Sequence, residues 1–354
     1  MRRLFYLTAV LLSLASCQTK KDPEPAPEPE PPVETFYAKG ADIGWVTEME
    51  SRGYKFYSPL GDEMECTALL RRIGFNAVRH RVWVNPADGW CNKEDVLVKC
   101  KRAQALGMKI MIDFHYGDSW CDPGKQPVPA AWKGHNADQL ADDVAGHTEE
   151  VLSLLKSNGI DVTWVQVGNE VTNGMLWETC RVKGSEAGNF IKVFNAGAAA
   201  ARKVYPETTI ILHIDNGWNR ETAQWFFDLT DGKADYDMMG FSLYPAYWDD
   251  SLGGYPDWKP KTQLFVDNLG AYYTKYKKPI MLCEFGMPAR QPEQSKAALQ
   301  FLLDNTKDKE YFMGIFLWEP ESEPSRNGYD QGAFSNGTPT LALSPFNDSI
   351  ASNE

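Results

Sequence analysis

Eight apolar runs of strand length recur along this chain, GADIGW, NAVRHRVW, KIMIDFHY, VTWVQVGNE, TTIILHID, YDMMGFSLYP, KPIMLCEFG and YFMGIFLWEP. The segments between them carry the spacing of helices, clearest at residues 60–73, 94–106 and 137–157. Each of these three stops at a glycine, Gly74, Gly107 or Gly159, which can take the left-handed conformation that ends a helix and returns the chain to the next strand. Strand then helix, repeated eight times, predicts an α/β fold whose parallel sheet closes on itself, a (β/α)8 barrel of the TIM type. An open doubly wound sheet is the runner-up, disfavoured because no glycine-rich fingerprint follows the first strand.

The N-terminus is organised differently. Arg2 and Arg3 precede an apolar run, residues 4–14, too short to cross a bilayer as a mature helix, so residues 1–16 are expected to be a signal peptide. The run ends in Leu14-Ala15-Ser16-Cys17, which resembles the bacterial lipobox; Cys17 would then be the lipidated mature N-terminus. Residues 18–35, QTKKDPEPAPEPEPPVET, are rich in Pro and Glu and nearly devoid of apolar side chains, so residues 17–35 read as an anchored, disordered tether. The expected location is the bacterial outer membrane, on the cell surface rather than the periplasmic side, with the lipid as the one membrane contact. Residues 36–354 suit a single domain, since α/β barrels commonly exceed 250 residues.

The formal net charge of the chain is −12. Removing the four cations and five acids of the first 35 residues leaves the domain near −11. That balance argues against nucleic acid or a polyanionic glycan as partner and suits a neutral polymer. Seven cysteines minus Cys17 leave Cys66, Cys91, Cys100, Cys121, Cys180 and Cys283. In an exported chain disulfides are open to them; their spacing fits no zinc pattern, and Cys283 reads as a small buried thiol. No metal or cofactor is expected, and the domain is expected to act as a monomer.

Polar residues collect at the C-terminal ends of the predicted strands, the rim where barrel enzymes carry their chemistry. His115-Tyr116 closes strand three, Asn169-Glu170 strand four, Tyr244 strand six, Glu284 strand seven and Trp318-Glu319 strand eight. One Asn-Glu pair is weak evidence, but glutamates ending strands four and seven lie across the barrel mouth. There they can approach the separation of about 5 to 5.5 Å at which one carboxylate attacks an anomeric carbon while the other protonates the leaving oxygen. Glu170 must then be protonated near neutral pH, and Glu284 must stay ionised among donors. Arg79 and Arg81 share one face of strand two and point into the barrel if Val78 and Val82 meet the helices. Arg79 could alternatively serve a structural pair with Asp113, and His115 could be a satisfied core histidine. Among twelve tryptophans, Trp90, Trp120, Trp132, Trp177, Trp248, Trp258 and Trp318 fall in rim loops, where indoles stack on sugar faces or fill loop cores.

The segment DFHYGDSWCDPGKQPVPAAW, residues 113–132, resembles the signature of glycoside hydrolase family 53, the endo-β-1,4-galactanases. GADIGW, VRHRVWVNP, VQVGNE, GFSLYP and FLWEP follow in the order of that family, so the resemblance spans nearly the whole domain. It implies retaining, endo-acting hydrolysis of β-1,4-galactosidic linkages in galactan or type I arabinogalactan. It also implies Glu170 as acid/base, Glu284 as nucleophile, Asn169 as partner of the sugar 2-hydroxyl, Tyr244 and Arg79 as supports of the nucleophile, and Trp318 as a sugar platform. His115 would line the same subsite; Trp120 and Trp248 are expected as further sugar contacts from their place in the rim loops. The chain departs from the family at Gly117, Cys121 and the run Phe285-Gly286-Met287-Pro288, which touches loops rather than glutamates. Some members bind calcium after strand seven; residues 288–294 are poor in ligands, and no calcium is expected there. Other activities of such barrels, a β-mannanase or a cellulase, and a non-catalytic surface glycan-binding lipoprotein are the alternatives.

Overall fold

The computed structural model describes residues 36–346, and the expected signal peptide, Cys17 and tether lie outside them. Eight parallel strands close into a barrel: β1 Ala38–Asp42, β2 Ala77–Val82, β3 Lys109–Phe114, β4 Trp164–Val167, β5 Thr209–Ile214, β6 Met238–Leu243, β7 Ile280–Phe285 and β8 Phe312–Trp318. Neighbours in sequence are neighbours in the barrel, and β8 closes on β1 with Gly40 opposite Phe316. The open-sheet alternative is thereby excluded. Every predicted strand is present, although β1 starts two residues before the run that marked it.

The helices wrap the outside where capping chemistry starts them. Asn92 accepts the Asp95 N–H at 2.9 Å ahead of Lys93–Ala105, and Asn136 with Gln139 forms a reciprocal capping box ahead of Ala137–Ser157. Gly74, Gly107 and Gly159 all have positive φ, as the helix ends require. The helix expected over residues 60–73 is a correction: it runs only Cys66–Arg72. A short hairpin, Phe56–Tyr57 against Glu63–Met64, precedes it, and the Glu65 carboxylate accepts the Ala68 N–H as its cap. Leu60 and Met64 mimic a helical stripe, but Leu60 is exposed. After β8 a short helical segment, Leu341–Phe346, packs beside Pro292–Thr306 in place of a full helix.

Along its axis the barrel interior divides into two layers. Ala38, Ala77, Met111, Trp164, Ile211, Met238, Met281, Cys283 and Phe316 form an apolar plug. Toward the C-terminal ends, the inward positions become Asp42, Arg79, Arg81, Asp113, Gln166, His213, Ser242 and Glu284, all buried. Val78 and Val82 instead join the core packed under the helices, so both arginines point inward. All six cysteines in residues 36–346 are free and buried.

Candidate active site

Arg79 is the hub of the charged layer. One guanidinium nitrogen contacts Asp42 at 2.7 Å and Glu284 at 3.0 Å; the other contacts Asp113 at 2.8 Å and donates to the Asn169 side-chain oxygen at 2.8 Å. Nε donates to Gln166 at 3.2 Å. The sequence posed Asp113 and a catalytic carboxylate as alternatives for Arg79; it holds both. With its oxygen taken by Arg79, Asn169 uses one amide N–H on the Cys121 carbonyl at 2.9 Å, leaving one donor at a residue that lines the cavity. His115 likewise has both nitrogens engaged: Nδ1 accepts the Cys121 N–H at 3.2 Å, and Nε2 sits 3.0 Å from Asp113. It is at once a satisfied buried histidine and part of the cavity wall.

A cavity of about 260 Å³ opens above this layer, and Glu170 and Glu284 both line it with His115, Trp120, Asn169, Tyr244 and Trp318. Their surroundings differ. Glu284, at the end of β7, receives the Tyr244 hydroxyl at 2.8 Å as well as Arg79. Burial raises its pKa, and the Arg79 charge and the tyrosine hydrogen bond oppose that rise. Glu170 has burial and then the Glu284 charge against ionisation, with only the Ser242 hydrogen bond and the weaker pull of Arg79 in its favour, so its carboxyl is held well above the usual range. Glu284 therefore ionises first, and its charge keeps the proton on Glu170. Glu170 itself sits in the left-handed region, φ 47 and ψ 52, a conformation non-glycine residues hold chiefly where surrounding structure imposes it.

Arg81 occupies a second niche. It pairs with Glu319, while its guanidinium carbon lies 4.4 Å from the Trp120 ring centroid and 5.3 Å from that of Trp45. Gly44 makes room for it, since a Cβ there would come within 2.1 Å of the guanidinium. Trp45 meets Trp318 edge-on at 5.1 Å and Trp120 at 5.7 Å, so the platform expected of Trp318 is one member of an aromatic cluster.

Trp248 stands apart: it is half-exposed and does not line the cavity. Trp132 is buried against His147, and Trp258 packs on Phe301, so these two fill loop cores. Sequence reasoning missed Tyr247 and Tyr329 in the cavity wall, and His213 and Ser242 beneath Glu170. His213 accepts the Glu170 N–H at 3.4 Å and contacts the Ser242 hydroxyl at 2.9 Å, and burial holds its pKa well below the usual range, so it stays neutral. The signal available was that His213 lies near the end of the strand after the one that ends at Glu170, and Ser242 two residues before Tyr244 on a strand end already chosen.

A closed (β/α)8 barrel with two glutamates in unlike electrostatic settings at the ends of β4 and β7 defines a glycoside hydrolase. The profile of glycosyl hydrolase family 53 matches residues 38–312. This chain belongs to that family. It is 36% identical over 309 residues to a probable arabinogalactan endo-beta-1,4-galactanase A of Neosartorya fischeri, covering 80% of this chain and 83% of that protein. An arabinogalactan endo-beta-1,4-galactanase of Thermothelomyces thermophilus is 36% identical over 216 residues, 59% of this chain and 64% of its own length. Among solved structures, one of two fungal beta-1,4-galactanases superposes with a TM-score of 0.78 at 29% identity, covering 88% of this chain and 98% of its own. The catalytic domain of a family 53 protein from Ignisphaera aggregans shares the fold, with a TM-score of 0.75 at 24% identity over 90% of this chain and 98% of its own.

Proposed function

We propose that this glycoside hydrolase cleaves internal β-1,4-galactosidic bonds of galactan with retention of configuration. The observation that carries the reading is the unequal pair: Glu170 held protonated by burial and by the Glu284 charge, Glu284 held for ionisation by Arg79 and Tyr244. Glu284 attacks the anomeric carbon as Glu170 gives its proton to the leaving oxygen. Glu170, now a carboxylate, takes a proton from water, and that water releases the glycosyl-enzyme intermediate. Asn169 offers its remaining amide donor to the sugar hydroxyl beside the anomeric carbon, and Trp318 carries the sugar face. The printed names of the relatives support galactan as the polymer. The test is incubation with galactan, mannan, xylan and cellulose, with product sizing and proton NMR of early products. Galactan alone should be shortened, giving β-anomers first; shortening of mannan or cellulose instead, or early α-anomer, would overturn the reading.

We propose further that the enzyme is a surface lipoprotein, processed before Cys17 and held to the outer membrane through residues 17–35. The support is the sequence pattern of residues 1–35 and the neutral polymer proposed as substrate, which an anchored domain meets at a distance from the membrane. Cys17→Ala should release active enzyme from the membrane fraction. Continued sedimentation of a fully processed variant would defeat the anchor.

A further inference from the structure

β4 ends at Val167, and the chain beyond it turns irregular: Gly168, Glu170 and Gly174 all take positive φ. The peptide that joins Asn169 to Glu170 lies past the strand ladder, so its two polar atoms must find partners elsewhere. Nε2 of Gln126 donates to its carbonyl oxygen at 2.8 Å, and its N–H donates to Nδ1 of His213 at 3.4 Å. These partners arrive from opposite sides, the loop after β3 and the end of β5, the two strands that flank β4 in the barrel. The peptide plane between Asn169 and Glu170 is thus gripped at both of its polar edges.

The sequence builds a rigid mount for Gln126. Asp122-Pro123-Gly124-Lys125 forms a tight turn. The Asp122 N–H donates to the Lys125 carbonyl at 2.8 Å, and the Asp122 carboxylate accepts the Gly124 N–H at 2.8 Å. Pro127 then favours extended backbone at Gln126, whose carbonyl accepts the Trp177 N–H at 2.8 Å. Gln126 is buried, and both of its amide hydrogens go to main-chain carbonyls, that of Asn169 and that of Asp122 at 3.2 Å. Its Oε1 has no hydrogen-bond partner among the described residues. An amide buried with its oxygen unsatisfied is held for what its nitrogen donates.

Asn169 and Glu170 do not depend equally on this grip. The Asn169 side chain has anchors of its own in Arg79 at 2.8 Å and the Cys121 carbonyl at 2.9 Å. Glu170 holds a left-handed conformation that a non-glycine residue keeps only where its surroundings impose it. Freed on one edge, the peptide can turn toward ordinary angles and carry the Glu170 carboxyl with it.

We propose that Gln126 is a positioning residue for the acid/base: with His213 it clamps the Asn169–Glu170 peptide, aiming the Glu170 carboxyl at the glycosidic oxygen and then at the attacking water. This rests on the acid/base role proposed for Glu170.

The test is the full-length Gln126→Met enzyme, which keeps the length of the side chain and removes both donors. On β-1,4-galactotetraose, whose departing sugar needs the acid, kcat/KM should fall by about tenfold or more. A dinitrophenyl β-galactobioside loses its aryl group without a proton, so its kcat/KM should change by less than about threefold. Its kcat and KM should fall together, because the intermediate waits for its base, and azide should restore that kcat. His213→Leu, which frees the other edge of the peptide, should repeat the pattern; without it the two-sided clamp is overturned. Equal falls in kcat/KM on both substrates overturn the proposal, since Gln126 would then serve the nucleophile or the fold, and unchanged constants overturn it too. If Gln126→Met is not folded by circular dichroism, Gln126→Leu is read in its place. Loss of fold in both makes Gln126 a residue of the fold and overturns the clamp. A wild type inert on the tetraose yet active on the aryl compound sinks the galactan reading; an active wild type whose variants show no split between substrates sinks the clamp alone.

Discussion

Glu170 and Glu284 share a cavity and a residue type, so only their partners assign their roles. A general acid matters most when the leaving group is poor, whereas a nucleophile matters for every substrate. Glu170→Ala should nearly abolish attack on galactan. With an activated aryl galactobioside the first step still proceeds, and the intermediate accumulates for want of a base. Azide needs no base, so it should restore turnover and give a β-glycosyl azide by two inversions at the anomeric carbon. Glu284→Ala should give at most an α-azide, formed by a single displacement through the space of the missing carboxylate. Product NMR decides, and the same azide anomer from both variants would contradict the assignment. Removing Arg79 is not an equivalent probe. It touches Asp42, Asp113 and Glu284 together, so its loss leaves three buried carboxylates without their shared cation.

The connection from β7 shows how a loop sets the chemistry of a strand end. Gly286 follows directly, and a Cβ there would lie 2.5 Å from the Tyr244 ring. Gly286→Ala should therefore push that ring, and its hydroxyl, away from Glu284. Losing a donor to the carboxylate raises the Glu284 pKa, so on acidification the ionised nucleophile is lost already at a higher pH. The acid limb of kcat/KM should move up by about one pH unit in Gly286→Ala and in Tyr244→Phe, with rates below it falling about tenfold. The basic limb, set by the Glu170 proton, should move far less, and an unmoved acid limb in both variants would remove Tyr244 from its role. The glutamates, Arg79, His115 and Tyr244 were legible in the sequence because a barrel strand buried on both faces tolerates polar groups mainly at the rim. Asp42 and Gln166 were not, since their meeting with Arg79 depends on register between strands 37 and 87 residues apart. Tyr329 was hidden for another reason: it arrives on the excursion after β8, which has no periodic pattern to place it. The hairpin before Cys66–Arg72 escaped because its few apolar residues fit either period.

At the scale of the whole molecule, buried carboxyls tie stability to pH. Glu321 is fully buried beside Glu319, and no ion pair among the described residues joins it to a cation. Burial first, then the Glu319 charge, raises its pKa well above the usual range, and Glu170 is raised likewise. A raised folded value means stability that is complete below the unfolded pKa, about 4.3 for glutamate, and lost as pH climbs through the folded value. The melting temperature should therefore rise as pH falls from 8 toward about 6.5. Below that the buried neutral histidines His80, His147 and His213, whose pKa values burial lowers, favour the unfolded chain and oppose the rise. Glu321→Gln, a neutral mimic of the protonated acid, should melt higher than wild type at pH 8 and show a flatter dependence; a lower melting temperature at pH 8 with an unchanged slope would exclude this source. The two-layer barrel interior carries a different consequence, for how such an enzyme can change over time. The apolar plug from Ala38 to Phe316 has no part in the hydrogen-bonded circuit above it. Repacking it with side chains of matched volume alters heat tolerance while the catalytic geometry stays fixed, so descendants of one barrel can adapt to temperature and to substrate along separate mutational routes.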